Sequence, residues 1–480
     1  MNSVSAPPTD PRLHLARALE RMRTAFRKEM APSLATRRDR LARLARMTKR
    51  FAPDIMDTVQ ADFGHRSRHE TLIADLLAVD EAVRYAQRHL ADWMRVRRMP
   101  TDIKYRPGFN RLLSQPLGVV GVVAPWNYPY QLSMLPALGA LAAGNRVMIK
   151  PSELAPRTAA LMARIVRESF ADDEMAVFPG DADVGKAFTE LPFDHLFFTG
   201  STVVGRHVAL AAAENLTPVT LELGGKSPAL FAPDADLALC APRLMSGKLL
   251  NAGQTCIAPD YALVPADRFD AFVTAARAAA ARLYPSYAGN PDYTAIINER
   301  HYLRLTALID DARAKGATIV TLAAAGEKLE PGSRKLPPVL ILGVNDTMAV
   351  MREEIFGPLL PVEAYANVGE AVAKINGRPH PLAFYYFGRD RTECGNVLRQ
   401  TLAGGVTVND TLWHFVHKNL PFGGVGASGS GAYHGEATFL TFSHRKAVFV
   451  QPRFAASRML YPPYGKLFEK VLGLLGRLNG

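Results

Sequence analysis

Between residues 119 and 223 short apolar runs alternate with helix-length segments, and this alternation restricts the possible folds more than any other feature of the chain. The runs Val119 to Ala124, Val147 to Lys150, Met175 to Phe178, His195 to Thr199 and Val219 to Leu223 have the length of buried strands. Helices are expected between them at about Gln131 to Ala143, Pro156 to Phe170, Asp183 to Leu191 and Val203 to Asn215. Strand and helix in turn build βαβ units, whose parallel sheets bind ligands beyond the carboxyl ends of the strands. Unusual residues stand at those ends: Pro125-Trp126-Asn127-Tyr128-Pro129, Lys150-Pro151-Ser152-Glu153, Gly200 to Gly205, and Glu222-Leu223-Gly224-Gly225. Four such clusters on one sheet edge point to a nucleotide site.

A second α/β region follows. Its helices are expected at about Ala266 to Tyr284 and Arg300 to Lys315, and its strands at about Thr318 to Leu322, Val339 to Val344, Leu382 to Phe387 and Val406 to Asn409. The paired glycines Gly224-Gly225 mark the main boundary, because they let the chain turn and cross over. The length of 480 residues leaves room for two or three domains at about 150 residues each. Hydrophobic residues at 48% against 21% charged make a packed fold the expectation throughout.

The net charge of +12 is uneven, because residues 1 to 50 alone carry +9. A basic head can meet nucleic acid or an anionic membrane, yet Leu15, Leu19, Met22 and Phe26 recur at helical spacing. They describe an amphipathic helix docked on a core, and no nucleic-acid motif accompanies the charge, so no nucleic-acid partner is expected. Met1 to Asp10 lacks the pattern of a secretory signal, and no apolar stretch is long enough to span a membrane. Cys240, Cys256 and Cys394 are too few and scattered for a disulfide framework, which fits a reducing, cytoplasmic setting.

Three features carry chemistry. The loop Gly200 to Gly205 follows a strand and opens a helix, where free N–H groups and the helix dipole favour a pyrophosphate, although plain strand-to-helix turns share this composition. Glu222 ends an apolar strand, where ionisation is costly unless the group is hydrated or partnered; it is either a tuned general base or a solvated strand-end acid. Cys256, in Gly253-Gln254-Thr255-Cys256, sits in a turn with little steric cover, whereas Cys240 and Cys394 fall in helix-like core patterns. The pairs His414/His417 and His65/His69, the latter beside Glu70, have no convincing third ligand. No metal is expected, and the second pair reads as a wet helical face.

Taken in order, these motifs form one series: Pro125 to Pro129, Lys150 to Glu153, Phe198 to Thr202, Glu222-Leu223-Gly224-Gly225-Lys226-Ser227-Pro228, Gly253 to Cys256, Glu353-Glu354-Ile355-Phe356-Gly357-Pro358 and Pro421-Phe422-Gly423-Gly424. The series resembles the NAD(P)-dependent aldehyde dehydrogenase superfamily. Cys256 to Tyr261 and Gly423 to Gly429 look like its class 3 branch, and Gly431 to Gly435 with Thr441 to His444 look like bacterial coniferyl aldehyde dehydrogenases. The fold implied is α/β, with two doubly wound parallel-sheet domains for cofactor and catalysis plus a small β oligomerisation arm. Residues 1–104 and 118–223 would form the dinucleotide-binding domain, 224–430 the catalytic domain, 105–117 and 431–452 the arm, and 453–480 a tail.

The resemblance also implies roles. Cys256 would be the nucleophile, Glu222 the general base, and the Asn127 amide with the Cys256 N–H the oxyanion donors. Lys150 and Glu153 would bind the adenosine ribose, and Gly200, Ser201, Thr202 and Gly205 the pyrophosphate. Trp126, Leu223, Glu354 and Phe356 would complete the cofactor site. Glu153 favours NAD, with NADP possible. The substrate implied is a coniferyl-type aromatic aldehyde, near whose entrance Tyr128, Tyr130, Trp413, His414 and Phe415 would lie. Medium- or long-chain fatty aldehydes are the alternative; a cofactor-independent thiol hydrolase or acyltransferase is the alternative of another class. The arm implies a homodimer. The amphipathic tail from Lys466 to Leu478 would pack on protein, with peripheral membrane contact the less favoured use.

Overall fold

The computed structural model describes residues 10–454, 458 and 461–478. The opening segment, read above for a leader pattern, lies outside the described residues up to Thr9. The first sheet runs, edge to edge, through Gly429–Ser430, Val219–Glu222, His195–Thr199, Val119–Val123, Arg146–Lys150 and Met175–Val177. All its pairings are parallel except that of Gly429–Ser430 with Val219–Glu222. Register brings Val123 level with Lys150 and Phe198, and Thr199 level with Glu222, so the clustered residues emerge along one edge. The order reverses between Val119–Val123 and His195–Thr199, where a doubly wound sheet leaves its ligand crevice.

Both faces of this sheet are covered, which explains why its central strands are continuous apolar runs. The helix Gln131–Ala143 is buried at every position, held between the sheet and the helices Leu34–Arg50, Ala78–Trp93 and Gly435–Thr441. The opposite face carries Pro11–Lys28, Ala182–Thr189 and Thr202–Glu214. As the spacing required, Leu15, Leu19 and Met22 are buried, with Ala18 beside them, whereas Phe26 in the last turn is only half-buried. Much of the basic head serves the fold itself. Arg37 is buried and donates to the carbonyls of Ala142 (3.2 Å) and Ala143 (2.7 Å), closing the carboxyl end of the core helix. Arg40 and Arg43 both pair with Glu174.

The second sheet runs Thr318–Thr321, Val339–Leu342, Leu359–Tyr365, Tyr261–Pro265, Pro228–Phe231, Ala383–Phe387 and Gly405–Val408, antiparallel only at its first pair. Its centre is made by Pro228–Phe231, Tyr261–Pro265 and Leu359–Tyr365, which the sequence pattern did not single out. Each contains a proline, a residue that argues against a central strand when read locally.

A third sheet joins Arg97–Met99, Phe109–Pro116 and Ser443–Val450, in register from Phe109 opposite Val450 to Pro116 opposite Ser443. Within 431–442, expected as part of this arm, residues Gly435–Thr441 instead form the helix on the core, and the strand begins at Ser443. Near the carboxyl terminus the helix Lys466–Leu478 carries exposed Leu467 and Leu472. Among the described residues no helix is long and apolar enough to cross a membrane.

Candidate active site

The thiol loop is built from strained backbone. Helix Leu237–Leu249 runs into the turn Leu250–Gly253, where Asn251 (φ 53°), Ala252 (φ 51°) and Gly253 (φ 75°) all lie in the left-handed region. Only glycine fits at 253, because a Cβ there would stand 2.3 Å from the Gly357 carbonyl oxygen. Buried Gln254 then ties the loop down: its Nε2 donates to Asn251 O (2.9 Å) and Ala295 O (3.0 Å), and its Oε1 accepts from the Ile297 amide (3.0 Å). Cys256 follows, partly exposed, with the amides of Cys256 and Ile257 donating toward its sulfur.

Cys256 opens onto a cavity of about 330 Å³ whose wall it shares with Glu222, Thr199 and Tyr128. Glu222 is 1% exposed, and neither carboxyl oxygen has a hydrogen-bond partner among the described residues. Burial therefore holds its pKa well above the ordinary carboxylate value. The Cys256 thiol is pushed up to about 12, first by burial and then by the nearby carboxyls of Glu354 and Glu222. Burial thus shifts both groups of the cavity wall toward their protonated forms.

Asn127, just beyond the strand Val119–Val123, reaches the thiol loop from the first sheet. Its Nδ2 donates to Gln254 O at 3.2 Å, two residues before Cys256, and the neighbouring Tyr128 hydroxyl meets that of Thr255 at 2.7 Å. The Asn127 carbonyl accepts from Arg66 Nη1 (2.6 Å) and Asn251 Nδ2 (3.1 Å). Of the three sequence-expected residues, Cys256 and Glu222 share the cavity wall, whereas Asn127 does not line it and reaches the thiol loop through Gln254.

The other expected residues line the edge beside it. Buried Lys150 stands 3.8 Å from the exposed carboxylate of Glu153, and its Nζ donates to Pro151 O (2.8 Å). Ser201 caps the helix Thr202–Glu214 by accepting from the Val204 amide, while Thr202 donates to Ala427 O and Gly205 is buried against Leu223. Glu354 lies against Gly224, so close that a Cβ there would meet its carboxyl at 2.2 Å. Its Oε1 has no partner among the described residues, and its pKa is raised to about 8, chiefly by burial and then by Asp260. Phe356, itself at φ 51°, packs 5.4 Å from the Trp126 ring. A second cavity of about 630 Å³ runs past Thr202, Gly224, Gly225 and Glu354. A helix N-terminus at the ligand edge, a carboxyl with an unused oxygen and a carboxylate beside a lysine fit phosphate and ribose hydroxyls.

Two of the entrance expectations need correction. Tyr128, Trp413 and Phe415 line the thiol cavity, but Tyr130 and His414 do not. The Tyr130 hydroxyl is taken by Thr48 (2.6 Å), and His414 Nδ1 by Thr407 (2.8 Å), both in buried surroundings. Sequence reasoning missed Ile73 and Leu77 from the π-helical segment Thr71–Leu77, along with Val416, Phe422 and Tyr433. The wet face also divides: His69 is exposed, but Glu70 is buried, bonding the Asn251 amide (3.0 Å) and the Thr294 hydroxyl (2.6 Å). Among the described residues no three His, Cys, Asp or Glu side chains group as metal ligands.

Fold and site define a class: doubly wound α/β enzymes in which a thiol and a buried carboxyl meet at the ligand edge of a nucleotide-type sheet. The sequence model of the aldehyde dehydrogenase family matches residues 6–448. The probable coniferyl aldehyde dehydrogenase of Pseudomonas aeruginosa is 49% identical over 452 residues, 94% of each chain. The coniferyl aldehyde dehydrogenase of a Pseudomonas sp. strain is 46% identical over 465 residues, 96% of each. Among solved structures, the substrate-bound state of Staphylococcus aureus AldH matches with a TM-score of 0.89 at 36% identity, covering 96% of this chain and 99% of that one. The indole-3-acetaldehyde dehydrogenase of P. syringae, in complex with NAD+ and IAA, matches with a TM-score of 0.84 at 27% identity, covering 92% and 89%. This chain belongs to the aldehyde dehydrogenase family. It is an oxidoreductase that converts an aldehyde to the carboxylic acid.

Proposed function

We propose that the protein oxidises a coniferyl-type aromatic aldehyde with NAD through a covalent intermediate on Cys256. The observation that carries this reading is the convergence of Cys256 and Glu222 on one cavity, with Asn127 bonded to the thiol loop from the other sheet. The Cys256 thiolate attacks the aldehyde carbon and forms a thiohemiacetal. The Asn127 amide and the Cys256 N–H stabilise its oxyanion, a term commonly worth about 3 kcal/mol per donor. Bound NAD supplies the hydride acceptor. A thioester remains on Cys256, and Glu222, once deprotonated, takes a proton from the water that hydrolyses it. A carboxyl left without protein partners in the cavity wall suits that task. It also argues against a CoA-acylating enzyme, which has no need of a water-activating base, and a thiol hydrolase would leave the cofactor edge idle.

For the cofactor, Lys150 and Glu153 hold the adenosine ribose, Gly200, Ser201, Thr202 and Gly205 the pyrophosphate, and Glu354 the nicotinamide ribose. Trp126, Leu223 and Phe356 complete the set. Glu153 accepts a ribose 2′-hydroxyl and repels a 2′-phosphate, which favours NAD over NADP. We assign residues 1–104 and 118–223 to cofactor binding, 224–430 to catalysis and 105–117 with 443–452, the part of 431–452 left once the core helix Gly435–Thr441 is taken out, to a subunit-pairing arm, giving a homodimer. Three scattered cysteines, all free, fit a reducing compartment, and we place the enzyme in the cytoplasm. The tail helix is assigned to packing on protein.

The coniferyl reading draws on the two coniferyl-named relatives and on the cavity itself. Apart from the groups around Cys256, its wall is largely apolar and aromatic, with Trp413, Phe415 and Phe422, and its volume fits a flat arylpropenal. Glu81 and Lys418 add charge to the wall and offer a phenolic hydroxyl hydrogen-bond partners that an alkyl tail cannot use. NADH release should be measured over coniferyl, cinnamyl, benzyl and straight-chain aldehydes with each cofactor. Coniferaldehyde should give the highest kcat/KM. A hexanal value as high would return the assignment to fatty aldehydes and leave the enzyme class untouched.

A further inference from the structure

We propose that Arg66 is a positioning residue that sets the Asn127 side chain against the thiol loop, an inference that rests on the oxyanion role given to Asn127 above. Arg66 is fully buried in the turn between the helix Ala52–Phe63 and the short helix Arg68–Glu70, and it does not line the thiol cavity. Its guanidinium lies over the rings of Phe63 (4.9 Å) and Tyr128 (4.8 Å). Asp75 pairs with it at 3.3 Å, both side chains being fully buried, and Asp75 in turn accepts from the Gln131 amide at 3.0 Å. The guanidinium is thereby held by the same loop it holds. Its Nη1 donates to Asn127 O at 2.6 Å, fixing the peptide plane from which the Asn127 side chain departs.

The same segment grips the thiol loop. Glu70, four residues on, accepts the Asn251 amide at 3.0 Å, and Asn251 Nδ2 closes the circuit by donating to both Asn127 O and Gln254 O at 3.1 Å. Arg66 and Glu70 therefore span the two loops whose donors must converge on one oxygen atom: the Asn127 amide from one, the Cys256 N–H from the other. Fold stability is a poor explanation for such a pair, since buried ion pairs are often replaceable by apolar residues at no loss. Geometric fixation explains it better, because a misplacement of about 1 Å in a reacting array costs about a hundredfold in rate.

The test is a double-mutant cycle on the full chain, reading the NADH burst rate at saturating coniferaldehyde and NAD. Arg66→Lys keeps the charge for Asp75 but loses the planar fork, and it should slow the burst about tenfold with KM changed less than about threefold. Iodoacetamide labelling of Cys256 and NAD affinity should stay near wild type. In an Asn127→Ala background the same substitution should change the burst less than about twofold, because its target is gone. Asp75→Asn, which frees the guanidinium without deleting it, is read in the same way should Arg66→Lys fail to fold. An equal slowing in both backgrounds, or an unchanged burst in Arg66→Lys, overturns the positioning role. A normal burst in Asn127→Ala alone overturns the oxyanion assignment, and the positioning role with it.

Discussion

At the scale of single residues, the chemistry depends on one thiol and one carboxyl whose pKa values burial raises. Cys256→Ala should abolish NADH formation while NAD binding, followed by quenching of protein fluorescence, survives; residual turnover above background would remove Cys256 from the mechanism. With its thiol pushed up to about 12, Cys256 in the cofactor-free enzyme should be alkylated faster as pH rises, without a plateau between about pH 7 and 10. A plateau near neutrality in the iodoacetamide rate would contradict this. Glu222 follows the same sign. Burial raises its pKa, the base is the deprotonated form, and so thioester hydrolysis should accelerate with pH in the wild type. Glu222→Gln should give a hydride burst followed by slow, pH-insensitive turnover in stopped-flow absorbance. Gly253→Ala must hold a left-handed φ of 75° and a Cβ against the Gly357 carbonyl, costing about 1–3 kcal/mol or forcing the thiol loop to shift. A lowered melting temperature together with a lowered kcat is the expected result.

At the scale of elements, local pattern and tertiary packing divide the account. Strand ends and helix starts in the first sheet were legible because each is a contrast between neighbours in sequence: Lys150 after an apolar run, Ser201 before a helix. The proline-containing strands Pro228–Phe231, Tyr261–Pro265 and Leu359–Tyr365 were not, since a proline is disfavoured by local propensity yet tolerated where its missing N–H has no ladder partner. The segment Gly429 to Gly435 shows the same override, bending back to pair Gly429 with Glu222 and place His434 in the core. His434 and His414 are buried and neutral, with pKa values lowered to about 3 and about 4 by loss of solvent. Each contributes stability that is fully present above the unfolded value of about 6.5 and is lost as pH falls toward the folded value. Urea midpoints should therefore drop between pH 7 and pH 5. In His434→Asn, which tolerates the positive φ at that position, the drop should be shallower; an identical pH dependence would assign the loss to other groups.

At the scale of the whole molecule, three sheets assemble from chain segments that interleave. The arm strand Ser443–Val450 pairs with Phe109–Pro116, more than 300 residues away, and carries a half-exposed Phe449 on one face. If that face joins subunits, Phe449→Arg should shift the sedimentation coefficient to that of a monomer, and an unchanged dimer would move the interface elsewhere. What the amino-acid order determined by itself is the set of local contrasts: alternating strand and helix, the polar and glycine clusters at one sheet edge, a thiol in a glycine-containing turn and a carboxyl at the end of an apolar strand. What tertiary structure alone decided is which distant side chains share a wall. Ile73, Leu77, Val416 and Tyr433 meet around Cys256, while Tyr130 and His414 turn inward to Thr48 and Thr407. Glu70 in its short helix and Arg66 in the turn before it, polar residues no different in local pattern from a wet surface, are buried because they bond the two loops. Periodicity reports the environment of residues a few positions apart; the cavity is closed by contacts hundreds of positions apart, and those exist only once the sheets have packed.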